Sequence, residues 1–306
     1  MRQNSTQNHT KENRMLVLFT DTDSDFTPEL AKEYGYKLIS MPYIMDNKTI
    51  YPYEDADFEE NYDCHEFYEK LRKGALPTTA GLSPEKYKSY FEPFFKNGDD
   101  ILYVHFATVM SGTFGAMNLA VSELKEKYPE RNFYEIDTKG ITVLSYAIAL
   151  EIGEMHKNGA GISEILAWAD KEVQKHAIYF YVDDLKFFAR SGRVTNFSAI
   201  MGNIIGIHPI LTMGADGMMT ALGKAQGRKK TLNKIMDMIA EKQDDIAAHR
   251  VYIGHSDAPE IASGVADMLK KRFGENLDIA IVEVNPTAGC HCGPDGLGIV
   301  FHAKNR

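Results

Sequence analysis

Short polar runs sit where apolar runs end, and each offers a different chemistry. In FTDTDSDF, Asp21, Asp23 and Asp25 alternate directly after an apolar strand pattern. Aspartate-nucleophile phosphatases place a carboxylate pair at such a strand end in the pattern DxDx(T/V), so Asp21 and Asp23 with Mg make one catalytic reading, with Asp25 at the fifth position. A plainer use of the same run is capping: Thr27 or Asp25 ahead of PELAKEYG, whose first helical residue is Pro28. In LPTTAGLSP, Thr78 and Thr79 are adjacent hydroxyls before a helix start at Ser83-Pro84. Ser111, Gly112 and Thr113 form a turn between the apolar run VHFATVM and a helical pattern, where unpaired amides and partial positive charge favour an anion. No Lys or Arg lies between residues 104 and 124. A site of N–H and O–H donors alone suits a singly charged carboxylate better than a triphosphate.

Near the end of the chain, PTAGCHCGPDGLGIVF carries Cys290, His291 and Cys292 among glycines at 289, 293, 296 and 298. Read as an extended, tight loop, adjacent residues point to opposite sides, which argues against zinc and leaves His291 as the hydrogen-bonding side chain for a carboxylate. Arg190 and Arg193 flank a Ser-Gly turn, and Phe197, Ile200, Met201, Ile204 and Ile205 follow at helical spacing, which makes an arginine there a candidate partner contact.

These residues need elements to position them. MLVLFT, YKLISMPYIM, ILYVHF and NFYEID read as strands. Between and after them PELAKEYG, CHEFYEKLRKG, PEKYKSYFEPFFKNG, GAMNLAVSELKEKYP and ITVLSYAIALEIGEMHKNG read as helices. Strands separated by helices of this length pair in parallel, so residues 15–172 are expected to form a doubly wound α/β domain, with ligands at the carboxyl ends of its strands. Residues 173–306 read as an α+β mixed-sheet domain. Its strands are AIYFYVDDLKFFAR, IHPILTM, MMTALGKA, RVYIGHS and DIAIVEV, and its helices are KKTLNKIMDMIAEK and APEIASGVADMLKKRF. Residues 1–14 read as a disordered tail.

Composition limits the functions available. The net charge of −9 argues against nucleic acid as partner. No apolar run reaches the roughly 18 residues that span a bilayer, and the N-terminus lacks the apolar centre of a signal peptide. Three cysteines make no disulfide framework, which fits a cytoplasmic location. GxxxxGK(S/T), GxSxG, GxGxxG after a strand and HExxH do not occur, so nucleotide, hydride, serine-hydrolase and zinc-protease chemistry lack support, and no cofactor is expected.

Taken in order, TDT at 20–22, PTTAGLSP at 77–84, SGTFGAMNLA at 111–120, VDDLKFFARSGRVT at 182–195, HPIL at 208–211 and HCGPDGLGIVF at 291–301 resemble the motif set of the DegV family. These are fatty-acid-binding proteins that serve as substrate-carrying subunits of bacterial fatty acid kinase. The resemblance implies two domains and an apolar tunnel holding a long-chain fatty acid, with no catalysis by this chain alone. It implies a carboxylate held by Thr78 or Thr79, by Ser111 within the turn that also holds Gly112 and Thr113, and by His291. It implies that Arg193 contacts the kinase catalytic subunit, which would bring ATP and Mg to phosphorylate the lipid for phospholipid metabolism. Transient contact with a membrane surface fits that role. Where the family often has two serines before the turn, this chain has Ala107 and Thr108, so Thr108 is a candidate extra donor.

Overall fold

The computed structural model describes residues 15–195 and 206–306. The expected tail, and the apolar series from Phe197 to Ile205, lie outside the described residues. In chain order the first half runs β1 (Leu16–Asp21), α1 (Pro28–Tyr34), β2 (Tyr36–Ile39), β3 (Tyr43–Met45), β4 (Lys48–Ile50), α2 (Ala56–Asn61) and α3 (Cys64–Arg72). It continues with β5 (Thr78–Thr79), α4 (Pro84–Asn97), β6 (Asp100–His105), α5 (Thr113–Lys127), β7 (Phe133–Asp137), α6 (Val143–Lys157) and α7 (Ile162–Glu172). The second half runs β8 (His176–Tyr181), α8 (Leu185–Ser191), β9 (Val194–Thr195), β10 (Ile207–Met213), β11 (Met219–Gln226) and α9 (Arg228–Lys242). Then come β12 (Val251–His255), α10 (Pro259–Phe273), β13 (Ile279–Glu283), α11 (Pro286–Cys292) and β14 (Leu297–His302).

The first sheet is four-stranded, in the order β2-β1-β6-β7, and parallel throughout. From β1 the chain moves outward to β2 and then returns to the other side of β1 as β6. That reversal puts a crevice outside the carboxyl ends of β1 and β6, where α/β sheets bind ligands. Asp21 ends one of these strands and His105 the other. The helix start expected at Pro28 forms, with the Thr27 hydroxyl accepting from the Leu30 amide at 3.3 Å and Gly35 closing the helix at φ 76°.

The second sheet has seven strands, in the order β13-β12-β14-β8-β10-β11-β9, and mixes parallel and antiparallel pairs. The hairpin β10–β11 closes around the expected GADG turn. Between the two sheets lies α6, which buries residues around most of its circumference and packs on both. One hydrophobic core runs through from Leu18 and Leu102 to Ile178 and Val300, and a second lies under α9 and α10.

Several expected elements differ. The run YKLISMPYIM is two strands, because Pro42 cannot donate to a ladder. Tyr36–Ile39 stays in the parallel sheet, whereas Tyr43–Met45 begins a small antiparallel sheet ordered β4-β3-β5. The expected strand AIYFYVDDLKFFAR ends at Tyr181, and the Asp184 carboxylate caps a helix over Leu185–Ser191 by accepting from the Lys186 amide. The expected glycine loop at 286–298 is a helix followed by a strand. Asn285 caps α11 by accepting from Ala288 at 2.9 Å, and β14 lies inside the large sheet between β12 and β8.

Candidate functional site

A cavity of about 300 Å³ opens from the crevice at β1 and β6 and runs between the two sheets. Its apolar walls come from both halves of the chain, with Phe106, Met110 and Val143 on one side and Ile178, Met213 and Leu297 on the other. Its floor contains Gly254 of β12 and Gly298 of β14, which are register partners and leave the middle of the sheet without side chains. A glycine inside the strand pattern RVYIGHS is a sequence signal for such a close approach, and sequence reasoning passed over it.

At one end the walls become polar. The Thr79 hydroxyl and His291 Nε2 are 2.8 Å apart. Backbone pairing with Tyr43 fixes Thr79, and His291 rides on the last turn of α11. That helix is tied to the first half of the chain: the Thr287 hydroxyl donates to the Met41 carbonyl, and the Asn285 amide and side-chain nitrogen both donate to Asp25 Oδ1. Burial, then the charges of Arg193 and Arg190, lower the His291 pKa to about 4, so its imidazole is neutral at pH 7. In either tautomer the Thr79–His291 pair keeps one free donor, either the Thr79 O–H or the Nδ1–H.

Ser111 lines the same cavity. Its hydroxyl accepts from the Thr113 amide at 3.2 Å and keeps its own proton to give. Gly112 is exposed at the helix start and lines the cavity. Thr113 is buried, and its hydroxyl accepts from the Leu82 amide and lies 3.0 Å from the Tyr87 hydroxyl. It therefore positions the site, drawing the segment after Thr79 against the Ser111 turn.

Other expected residues lie elsewhere. Thr78 is exposed and outside the cavity lining. Thr108 gives its hydroxyl and amide to Asp137 Oδ2, at 2.5 and 3.2 Å, and is also outside the lining. Arg193 turns inward: it lines the cavity, donates from Nε to the Met110 carbonyl at 3.3 Å and bonds the Ser191 carbonyl. Its Nη2 has no hydrogen-bond partner among the described residues. The site inferred from residues 104–124 to lack a cation thus has one nearby, supplied by a segment some eighty residues further along the chain.

The aspartate run makes a poor nucleophile. Asp21 is fully buried, accepts from the Tyr103 hydroxyl at 2.9 Å and is outside the cavity lining. Burial raises Asp21 and Asp25 to about 7 and Asp23 well above the ordinary carboxylate range. Among the described residues no group of three or more His, Cys, Asp or Glu could hold a metal ion. The same burial sets a pH dependence. Asp21 and Asp25 hold protons in the folded chain at a pH where the unfolded chain has lost them. Their raised pKa values add stability that is lost as pH rises through 7. Between about pH 6.5 and about pH 8 each of the two should withdraw about 0.8 kcal/mol, about 1 °C in Tm, and the difference between the wild-type and Asp25→Asn profiles isolates the share of Asp25. Thermal melts across that range check it, and Asp25→Asn should flatten the slope.

These features define an α/β protein whose two large sheets enclose an apolar cavity with a polar end. The chain belongs to the DegV family, whose model, described as uncharacterised proteins, matches residues 15–304. A DegV domain-containing protein of Clostridium perfringens is 28% identical over 288 residues, covering 94% of this chain and 97% of that protein. Among solved structures, a DegV protein from Thermus thermophilus described by its fatty acid binding superposes with a TM-score of 0.81 at 23% identity, covering 94% of this chain and 99% of the other. A stearic-acid-binding protein from Eubacterium ventriosum gives a TM-score of 0.82 at 20% identity, covering 95% and 99%. These likenesses establish the fold. No helix among the described residues is long and apolar enough to cross a membrane.

Proposed function

We propose that this chain binds a long-chain fatty acid in its cavity and presents the carboxylate to a separate ATP-dependent kinase, which forms an acyl phosphate. The observation that carries the reading is the cavity itself: apolar walls from both sheets, with Ser111, the Thr79–His291 pair and Arg193 gathered at one end. Solved relatives described as fatty-acid-binding support it. Each CH2 moved from water into such walls contributes about 0.8 kcal/mol, so affinity comes from the tail and orientation from the head group.

On this reading the chain is a lipid-binding subunit acting in the cytoplasm on the way to phospholipid synthesis. It needs no cofactor of its own, because ATP and Mg arrive on the kinase. A membrane surface is the source of lipid and is touched only transiently. Ser111→Ala removes an orienting donor and leaves the tail contacts. Fatty acid uptake should change less than about threefold while acyl-phosphate formation by the kinase falls about tenfold or more. Equal acyl-phosphate formation by the variant and the wild type would contradict the assignment of Ser111.

A further inference from the structure

The first half of the cavity wall includes an acid that the fatty-acid reading does not use. Between Thr20 and Asp25 the other polar side chains are committed to the fold. The Thr20 and Ser24 hydroxyls are 3.0 Å apart and Ser24 donates to the Asp21 carbonyl. The Thr22 hydroxyl accepts from the Met41 amide, Asp21 takes Tyr103, and Asp25 takes Asn285. Asp23 is the exception. It is only 7% exposed, its Oδ1 is sealed without a partner, and no hydrogen bond reaches either carboxyl oxygen among the described residues. It lines the cavity.

Beside it stands Thr142, whose amide donates to the Asp23 carbonyl at 2.7 Å. Thr142 also lines the cavity, and its hydroxyl has no protein partner among the described residues. A saturated chain passing these groups leaves a buried acid unsatisfied. We propose that Asp23 and Thr142 form a second polar point in the cavity wall, which receives a hydroxyl carried along the acyl chain and makes a hydroxylated fatty acid a preferred ligand. A protonated carboxyl donates one hydrogen bond and accepts another, as a hydroxyl does. Burial and the neighbouring Asp21 and Asp25 favour that form of Asp23. The inference rests on the fatty-acid reading.

The test is competitive loading of the full-length delipidated chain with stearic acid and a set of positional isomers of hydroxystearic acid, followed by extraction and mass spectrometry. One isomer should be enriched about tenfold over stearic acid. In Asp23→Leu that ratio should fall to near one, and Asp23→Asn, which keeps a donor and an acceptor, should retain most of it. Uptake of every isomer no better than stearic acid, or an unchanged ratio in Asp23→Leu, would overturn the proposal even if stearic acid binds well. Uptake of no fatty acid at all would overturn the parent reading, and this inference with it.

Discussion

Gly293→Ala should lower Tm by about 6 °C and release whatever the cavity holds. Gly293 closes α11 at φ 70° and ψ 179°, a region open essentially to glycine alone. A Cβ there would also stand 2.3 Å from the ring of Phe187, which is itself buried. The backbone strain costs about 1–3 kcal/mol and the clash about as much again, because a packed ring cannot simply turn aside. Either relaxation moves the end of α11, and His291 lies two residues away. The matched control is Gly264→Ala on the exposed face of α10, where nothing lies within 4 Å of the new Cβ. That change should stabilise by about 0.5–1 kcal/mol. Calorimetry on the two variants separates the effects, and equal Tm values would contradict the packing described around α11.

The second large effect concerns the cavity floor. Gly298 has no positive-φ requirement, so a larger residue is compatible with its strand backbone. A Cβ at Gly298 would meet Ile178 at 3.1 Å and Phe180 at 3.2 Å, and both side chains line the cavity. Gly298→Leu should therefore consume space that the acyl chain needs. We expect fatty acid affinity to fall about tenfold or more, while overpacking lowers stability by about 1–3 kcal/mol. Displacement of a fluorescent fatty acid measures the first and a denaturant melt the second. Undiminished affinity in a variant that melts normally would show that the ligand does not lie over β12 and β14.

The alternation of apolar strands with amphipathic helices made the parallel sheet legible, since its periodicity comes from local packing. The Ser111 turn was legible for the same reason, because a strand running into a glycine-bearing helix start leaves its signature in consecutive residues. What escaped were features decided by distant partners. PTAGCHC has weak helix propensity, and α11 forms because Asp25 holds Asn285 and Met41 holds Thr287 from the other half of the chain. Thr79 and Thr78 are equivalent in sequence, and pairing with β3 leaves one in the cavity wall and the other exposed. Thr108 and Thr113 both looked like head-group donors, but the Thr108 hydroxyl donates to Asp137, and the Thr113 hydroxyl accepts from the Leu82 amide and pairs with the Tyr87 hydroxyl. The inward turn of Arg193 could not be read from spacing, because it depends on the Met110 carbonyl across the cavity. The resemblance to the DegV family supplied the grouping of Thr78 or Thr79 with Ser111 and His291, which no local pattern contains, and the 2.8 Å contact of Thr79 with His291 depends on the folded chain.

The central claim is that the cavity holds a fatty acid, and the most direct measurement is to extract the purified, natively folded chain with organic solvent and identify the released lipid by mass spectrometry. The account predicts one fatty acid per chain, lost in Gly298→Leu. Repeated extractions that release no fatty acid, together with no uptake of added stearic acid, would contradict it.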